Sequence, residues 1–596
     1  MGLLQRAVET YDAHSGLIGV YQIGRDPLAP IGHVLTKANI EITLNADGQF
    51  ITARKVDKTE PKILIPVTEE SGGRTSGLAA HPLCEQLKYV ACANKEAHEK
   101  YLASLKMWNE SAHTHPFLPA ISAYVESGTV LDDLIAGGIL ILDEKGSFDE
   151  NLLVCWRVLG IDGEDPCCWK NQNLFKAFIA YYRERRPQET ALCMLLGKVE
   201  PIASQHPKGI IPVNGNAKLV SANDKSGFTY RGRFSEEWQA ATVSYEASQK
   251  AHNAIRWLAS EQGVREFAGN RVFLCWNPAG KTAPRPMRPM RSREDAATRK
   301  PSDYRDKLRS TLMDFRSDHQ LKDTDRVILA SFDAATTGRL AVTYYNELSL
   351  NTFLERMHDW DAHCCWYSGQ FGIQAPNLFQ IVDRAFGTLR GKTLETDERI
   401  QRQHLQRLLD CKVSGGVFPV DIVRALTERA STPQAYENEK SIWRSIVQTA
   451  CSAIQKYRYD TKQGGSEMAW ELNTKDRSFQ YGRLLAAMER AEADYYHKTQ
   501  EQRQTSAIKF MSEFRQRPFF VFERVNRHLH QAYLNRVEVW QANRYERLVG
   551  EIFEILREFP GSELNKPLSD LYLMGYELQR NAFFTKNETN ENDGEE

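Results

Sequence analysis

One stretch of this sequence carries the residue types of a metal site. It reads His358-Asp359-Trp360-Asp361-Ala362-His363-Cys364-Cys365. A His-Asp pair beside a second histidine could hold a metal ion for phosphodiester hydrolysis. On a helix, however, His358 and His363 are five positions apart and diverge by well over a hundred degrees, so they poorly share one ion. The stretch is better explained as a helix end with a buried cysteine and a capping aspartate.

Two polar loops carry residue types that suit contact with nucleic acid. Glycines let backbone amides approach a phosphate or a base edge, an arginine supplies charge and hydroxyl groups supply hydrogen bonds. In the loop at 69–77 these residues are Gly72, Gly73, Arg74 and Thr75. The loop at 204–209 presents Lys208. Both loops are also open to a simpler interpretation as solvated surface turns, which composition alone favours for the first.

Two arginine-rich segments add local positive charge. Prolines exclude regular hydrogen bonding from residues 278–293, which predicts an exposed basic loop or linker. Its arginines include Arg285, Arg288 and Arg291. Further along the chain, aromatic residues alternate with Arg515, Arg517, Arg524 and Arg527. On a helix such a row could follow a phosphate backbone or pair with nearby glutamates, and composition does not decide between the two.

No catalytic signature accompanies these residues. The sequence lacks the GxxxxGK[ST], GxGxxG, GxSxG and HExxH motifs. Its 76 lysines and arginines nearly balance its 77 aspartates and glutamates, so any contact with nucleic acid must come from local basic patches. We therefore expect a protein that is not an enzyme and that needs no metal or cofactor.

The cysteines and the N-terminal residues indicate the compartment. The 11 cysteines are scattered and form no CxxC pair, which is typical of reduced thiols. Arg6 and Glu9 interrupt the region where a signal peptide needs an apolar core. No stretch approaches the roughly 20 apolar residues that span a bilayer. We expect a cytoplasmic protein without membrane association.

The 596 residues predict several domains of the α+β class. Alternating apolar residues at 38–44, followed by a turn and a return strand, predict a β-hairpin. Helical spacing dominates after about residue 350, including one stretch at 518–559. We predict a mixed, strand-rich N-terminal body followed by an all-helical C-terminal bundle. The expected parts are an α+β body at 1–280, a basic loop or linker at 281–325, a strand-helix segment completing the body at 326–370, a helical segment at 371–467 and a helical bundle at 468–596.

Six further stretches become informative when they are considered together. They read TKANIEITL at 36–44, IPVTEESGGRTSG at 65–77, HPLCEQLKY at 81–89, GNAKLVSAN at 215–223, VFLCW at 272–276 and QYGRLLA at 480–486. Together they resemble the large subunit of the type I-C CRISPR surveillance complex, Cascade, over nearly the whole chain. Two positions depart from that family's pattern, since Ala222 replaces a phenylalanine and Tyr481 replaces a leucine.

The resemblance implies a non-catalytic subunit of an RNA-guided complex. A CRISPR RNA pairs with the target double-stranded DNA, while the large subunit recognises the flanking protospacer-adjacent motif, promotes R-loop formation and holds the displaced strand. The implied partners are the CRISPR RNA, the target DNA, the subunits that form the RNA-binding backbone and bind its 5′ handle, a small subunit, and a helicase-nuclease that is recruited after target binding.

The resemblance also adds candidate residues. Related large subunits insert glycine loops and a lysine into the minor groove, where base pairs present a degenerate pattern. The candidates on this basis are Gly72, Gly73, Arg74, Gln205, Lys208, Asn214, Asn223 and Asn277. The alternatives are a metal-dependent phosphodiesterase that uses His358, Asp359 and His363, and a scaffold that binds only proteins.

A second product of the same gene is implied as well. The family resemblance implies that the small subunit is translated from inside the large-subunit gene. Met468 is the best start, because it follows the polar stretch 462–467, where a chain boundary leaves no buried backbone. Met488 is the rival start, but it falls on an apolar helical face.

Overall fold

The computed structural model describes residues 2–592 except 75–76, 145–146, 214, 222–232, 262–263, 291–297, 299, 335, 337, 369–370 and 464–470. The chain divides into two compact units, which we call the first and the second unit. The first comprises Met1–Ala283 and Arg326–Glu347, and the second comprises Pro284–Asp325 and Leu348–Glu596. The fold class is α+β as predicted, with the strands concentrated in the N-terminal half and the helices in the C-terminal half.

The first unit combines short strands with helices. Its helices are α1 (Leu3–Ala13), α2 (Glu69–Gly73), α3 (Leu87–Val90), α4 (Lys95–Asn109), α5 (Phe117–Glu126), α6 (Val130–Ala136), α7 (Gln172–Arg185) and α8 (Tyr245–Ser260). Its strands are β1 (His33–Thr36), β2 (Ile40–Asn45), β3 (Phe50–Lys55), β4 (Ile63–Pro66), β5 (Val154–Leu159), β6 (Thr190–Leu192), β7 (Val199–Pro201), β8 (Arg265–Ala268), β9 (Arg271–Trp276), β10 (Arg326–Asp333) and β11 (Ala341–Ser349), which ends two residues into the second unit.

The predicted hairpin is confirmed and forms part of a three-stranded sheet. Strand β2 pairs antiparallel with β3 and parallel with β5, in the order β3-β2-β5. The turn forms because the Asn45 side chain accepts the N–H groups of Asp47 and Gln49, at 3.1 and 2.8 Å, and Gly48 adopts a φ of 81°. Both Trp108 and Trp156 are fully buried in the core around this sheet.

A second sheet of the first unit has the order β11-β10-β9-β8. Helices α1 and α8 pack against each other and share a core with this sheet. Trp276 at the end of β9 is buried and donates its indole N–H to Thr10 Oγ1 at 3.0 Å. The remaining strands form the antiparallel pairs β1-β4 and β6-β7.

The second unit is mainly helical. Its helices are α9 (Pro301–Asp318), α10 (Leu350–His363), α11 (Leu378–Phe386), α12 (Glu398–Ser414), α13 (Val420–Ala430), α14 (Lys440–Asp460), α15 (Arg477–Thr499), α16 (Ser506–Lys509), α17 (Met511–Gln516), α18 (Pro518–Ala532), α19 (Val539–Leu556) and α20 (Leu571–Asn592). Its strands are β12 (Trp366–Tyr367), β13 (Ile373–Gln374), β14 (Thr388–Arg390) and β15 (Thr393–Glu395). No described helix of the chain is long and apolar enough to cross a membrane.

The backbones of α15 and α20 touch at two glycines. A Cβ atom at Gly482 would overlap the carbonyl oxygen of Tyr572, and a Cβ atom at Gly575 would overlap the carbonyl oxygen of Phe479. Arg483, the residue after Gly482, is buried. It donates to Gln579 Oε1, Gln480 Oε1 and the carbonyl of residue 472, each at 2.9 Å. The stretch at 480–486 therefore serves helix packing.

Several predicted boundaries differ from the structure. Residues 281–325 are not only a loop or linker, because Pro301 begins helix α9 at a position where its missing N–H is not needed. The segment 326–370 is divided, since β10 belongs to the first unit and α10 to the second. The segment predicted as helical at 371–467 contains short strands, since β13 pairs with β12, and β14 turns through Gly391, at a φ of 58°, to pair with β15; the elements described within 468–596 are helices, as predicted. The helical stretch predicted at 518–559 is interrupted between α18 and α19.

Candidate nucleic-acid interface

The first predicted loop begins as a single turn of helix, α2. Thr68 caps this turn, because its hydroxyl accepts the N–H of Ser71 at 3.1 Å while Ser71 Oγ accepts the N–H of Thr68 at 3.0 Å. Gly72 and Gly73 end the turn, and a Cβ atom at Gly72 would lie 3.3 Å from a methyl group of Val67. The glycines are therefore held in a defined conformation rather than in a loose surface turn.

The two loops that the sequence suggested separately lie in contact. Glu69 Oε1 accepts the backbone N–H groups of Ser204 and Gln205 at 2.7 and 3.1 Å. A Cβ atom at Gly73 would overlap Gln205 Oε1, so only glycine allows the amide side chain to approach this closely. The Lys208 ammonium donates to the carbonyl oxygen of residue 74. The structure thus joins residues 69–74 to residues 204–208.

The described part of a third stretch from the resemblance, residues 215–221, reaches the same place. Lys218 lies beside Lys208 in an antiparallel bridge, and the N–H of Gly209 donates to Ala217 at 3.0 Å. The N–H of Leu340 donates to the carbonyl of Lys218 at 2.9 Å, which brings the exposed Arg339 alongside. Residues 69–74 and 339–340 therefore converge with the neighbouring stretches 204–209 and 215–218 on one surface of the first unit.

The positive charges at this point lack carboxylate partners. We call Lys208, Lys218 and Arg256 the basic cluster. Arg256 donates to the carbonyls of Lys208 and Gly209 at 2.9 and 3.3 Å. In the part of the chain that the structure describes, no carboxylate lies within 4 Å of the charged nitrogens of these three residues, and no hydrogen-bond acceptor is paired with the Lys218 ammonium. Burial lowers the pKa of Lys218 and lowers that of Arg256 to about 10. The pKa of Lys208 is also lowered, by burial and by repulsion from Lys218 and Arg74. An incoming anion would relieve this repulsion.

Arg74 differs from the sequence expectation. Its guanidinium forms a two-pronged ion pair with Glu85, at 2.5 and 2.8 Å, and also donates to the carbonyl of Ala79 at 2.5 Å. The Glu85 side chain is completely buried, and the guanidinium lies 5.1 Å from the ring centroid of Tyr89. The charge predicted to face nucleic acid is therefore used inside the protein, where it supports the end of α2.

Asn277 also differs from its expected role. Its side chain donates to the carbonyl of Arg326 at 2.9 Å and accepts the N–H groups of Ala279 and Lys281 at 2.9 and 3.3 Å. It is buried and organises the turn after β9, because an asparagine side chain can replace backbone partners in such a turn. The candidates Thr75, Asn214, Asn223 and Arg291 lie outside the described residues.

Two half-buried histidines support the converging loops. His81 Nδ1 lies 3.0 Å from Ser71 Oγ, and His206 Nδ1 lies 2.8 Å from Ser248 Oγ. Burial lowers the pKa of His81 to about 4 and that of His206 to about 3. Both rings are neutral at pH 7, so they act as hydrogen-bonding supports and add no charge to the basic cluster.

The proline-rich basic segment is anchored to the second unit. Met287 is buried, and its carbonyl accepts the N–H of Leu378 at 3.0 Å. The N–H of Met290 donates to Asp361 at 3.0 Å. The side chains of Arg285 and Arg288 are exposed. The segment is thus a fixed loop that presents these two arginines at the surface.

The C-terminal arginines divide into two groups. Arg515 pairs with Glu428 at 2.5 Å, and Arg524 lies 3.8 Å from a glutamate of α17. Arg517 and Arg527 are exposed, and neither forms an ion pair with a described residue. Position 527 lies two turns beyond Phe520 on the same face of α18, and Arg517 directly precedes the helix; Phe520 is 49% exposed. Pairing with glutamates therefore applies to Arg515 and Arg524, whereas contact of Arg517 and Arg527 with a phosphate backbone stays a prediction.

The stretch at 358–365 is occupied by internal contacts. Asp359 pairs with Lys456 and Asp361 with Lys412, both at 2.9 Å, and the second pair is almost completely buried. The ring of His363 stacks on that of Tyr459, with centroids 3.5 Å apart. Among the described residues there is no group of three or more His, Cys, Asp or Glu side chains that could hold a metal ion. The phosphodiesterase alternative is not supported.

Four residues of the interface were not among the candidates from the sequence: Glu69, Lys218, Arg256 and Arg339. Lys218 carried the best signal, since it lies inside a stretch that supported the resemblance. Glu69 follows the helix cap Thr68 and looked like an ordinary first-turn acid. Arg256 and Arg339 lie in regular-looking segments whose sequence gives no hint of this neighbourhood.

Comparison with known proteins agrees with the recognisable stretches. The model of a family described as CRISPR-associated protein (Cas_Csd1) matches residues 15–584. No curated protein matches the chain. Because the match covers nearly the whole chain, including every stretch that converges on the basic cluster, the chain belongs to the Cas_Csd1 family of CRISPR-associated proteins.

Proposed function

We propose that this chain is the large subunit of a type I-C Cascade, and that it recognises the protospacer-adjacent motif in double-stranded DNA. The observation that carries the proposal is the convergence of residues 69–74, 204–209 and 215–218 on a basic cluster for which the described residues provide no carboxylate partner. Positive charge without internal compensation suits a phosphate backbone, because each neutralised phosphate releases a bound counterion.

The contacts divide into positioning and reading. Lys208, Lys218 and the neighbouring Arg339 supply charge for the DNA backbone, which fixes the position of the duplex but carries no sequence information. The exposed Gln205 amide can both donate and accept, as contact with a base edge requires. The absent Cβ at Gly73 leaves room for this side chain beside the cluster.

The same proposal assigns no chemistry to the chain. The sequence-specific step is pairing between CRISPR RNA and target, so the protein has to recognise the motif, promote R-loop formation and help to recruit a separate helicase-nuclease. In addition to the target DNA, the proposed partners are the CRISPR RNA, the subunits that form its backbone and bind its 5′ handle, and a small subunit. Purified protein is expected to show no metal-dependent DNA cleavage; cleavage abolished by His358→Ala would contradict this.

The displaced strand is proposed to follow the surface of α18. Arg517 and Arg527 supply charge there, and the exposed ring of Phe520 offers a stacking face for unpaired bases. The anchored arginines Arg285 and Arg288 are proposed to make further backbone contacts. These roles are independent of motif recognition, and a strand-crosslinking experiment from position 520 would test them.

The small subunit is proposed to be a second product of the same gene, beginning at Met468. This start lies outside the described residues, in the connection between α14 and α15. Measurement of product masses after expression of the gene would reveal a chain of residues 468–596. Full-length chain alone, unchanged after silent recoding near codon 464, would exclude internal initiation.

The proposed function is tested by reconstitution. The chain is assembled with CRISPR RNA and the partner subunits, and its binding to a library of targets with randomised flanking sequence is measured. We expect enrichment of particular flanking sequences that is lost in a Lys208→Ala, Lys218→Ala double variant. Equal binding to every flanking sequence by the native complex would contradict the proposal.

A further inference from the structure

Glu69 is a buried carboxylate whose side chain accepts hydrogen bonds from the backbone of a distant loop. Its side chain is 4% exposed, and Oε1 accepts the N–H groups of Ser204 and Gln205. Its second oxygen, Oε2, has no hydrogen-bond partner among the described residues and lies 3.7 Å from Arg186 Nε, which also has none. A buried charge in such an incomplete arrangement is costly to desolvate, so stability alone does not explain it.

Arg186 holds the same loop at its other end. Its Nη2 donates to the carbonyl of Ile202 at 2.6 Å, and its guanidinium lies 4.2 Å from the ring centroid of Tyr245. Between the two anchors, the N–H of Ala203 donates to the carbonyl of Val243 at 2.9 Å. The backbone from 202 to 205 is therefore fixed by the side chains of Arg186 and Glu69 and by the backbone of Val243, although the side chain of Gln205 is exposed.

This fixed backbone determines where the Gln205 amide lies. The amide oxygen occupies the space that a Cβ atom at Gly73 would need, and the same space lies 3.9 Å from the Lys218 ammonium. A shift of the backbone at residues 204 and 205 would move the amide relative to Lys218, which lies in another segment and keeps its charge in place. Affinity for the DNA backbone and discrimination between flanking sequences can therefore be separated.

We propose that Glu69, together with Arg186, is a positioning residue that sets the discrimination between flanking sequences by holding Gln205 in place. The inference rests on the proposed function and concerns the same interface. Glu69 itself touches no DNA. Its contribution passes through the backbone amides of residues 204 and 205, so it depends on the presence of the Gln205 side chain.

The test compares Glu69→Gln with the control Glu189→Gln and with Gln205→Ala in the reconstituted complex. Glutamine keeps the size of the side chain but places an amide donor where the carboxylate faced Arg186 or the loop N–H groups. We expect the ratio of affinities for targets with and without the preferred flanking sequence to fall at least tenfold. Affinity for DNA without that sequence is expected to change less than twofold. Glu189→Gln is the matched control, because that glutamate is exposed and its side chain has no partner among the described residues.

A double-mutant cycle with Gln205→Ala distinguishes positioning from a general structural role. If Glu69 acts through Gln205, Glu69→Gln causes no further loss of discrimination in the Gln205→Ala background. Additive losses, or a Glu69→Gln complex that discriminates as well as the native complex, would overturn the inference. If Glu69→Gln does not fold, Glu69→Asp serves in the same cycle, since it keeps the charge but is one methylene too short to reach both N–H groups. A native complex that shows no discrimination would instead contradict the proposed function itself.

Discussion

Two glycine-containing stretches supported the same family resemblance, yet their surroundings differ. Gly73 in the first unit approaches the exposed side chain of Gln205, next to charges that no described carboxylate pairs with. Gly482 in the second unit approaches the backbone of α20, and the neighbouring Arg483 is buried with three acceptors. A glycine in a recognisable stretch therefore indicates close approach, whereas the completeness of polar contacts around it distinguishes binding from packing.

The largest expected effect on stability comes from Arg74, the arginine of the first stretch whose charge is paired inside the protein. Arg74→Ala leaves the buried Glu85 carboxylate without its ion-pair partner and should lower the free energy of unfolding by about 3–5 kcal/mol. Urea unfolding of the purified chain measures the effect. Arg503→Ala is the control, because its pair with Glu501 is largely exposed and contributes little. Equal effects of the two substitutions would mean that Arg74 is not part of the internal support.

The next largest effect on the free energy of unfolding is expected at Gly482, where α15 and α20 pack. Gly482→Ala puts a methyl group into the carbonyl of Tyr572 and should lower the free energy of unfolding by about 3 kcal/mol, because the helix backbones must separate. Gly550→Ala is the matched control, since Gly550 is an exposed residue of α19 with open space around its Cα. There the better helix propensity should stabilise by about 1 kcal/mol. Thermal unfolding of both variants checks the contrast; destabilisation by both would contradict it.

Acidification should weaken the first unit. His81 and His206 have pKa values lowered by burial to about 4 and about 3, so the unfolded chain binds their protons more readily below about pH 6.5. Stability is therefore complete above pH 6.5 and is lost as the pH falls towards 4, by about 1.4 kcal/mol per pH unit for each histidine. Unfolding midpoints at pH 7.5, 6 and 5 measure this loss. His206→Gln should reduce the slope, and an unchanged slope would contradict the assignment.

Much of the fold followed from local patterns, but the interface did not. The β2-β3 hairpin and α13 were predictable because apolar spacing and turn residues act over a few positions. The contact between Glu69 and the backbone at 204–205 spans 135 positions, and no local pattern specifies it. The sequence could name Lys208 as a candidate, but it could not show that Lys218 lies beside it or that Arg74 is paired.

The C-terminal arginines provide a smaller contrast within the second unit. Arg527→Ala removes an exposed charge that pairs with no described carboxylate, so it should weaken protection of the displaced strand by a few-fold. Arg515→Ala removes an arginine paired with Glu428 and should leave protection nearly unchanged. Chemical footprinting of the displaced strand in the assembled complex compares the two. A larger effect from Arg515→Ala would reverse the assignment.

The central claim is that the basic cluster is completed by DNA phosphates. It is tested most directly by the salt dependence of DNA binding in the reconstituted complex, for the native chain, Lys218→Ala and the exposed-lysine control Lys176→Ala. Lys218→Ala should reduce the slope of log affinity against log salt by about 1, because one phosphate contact is lost. Lys176→Ala should leave the slope unchanged. A native slope retained by Lys218→Ala would contradict the claim that this cluster contacts the DNA backbone.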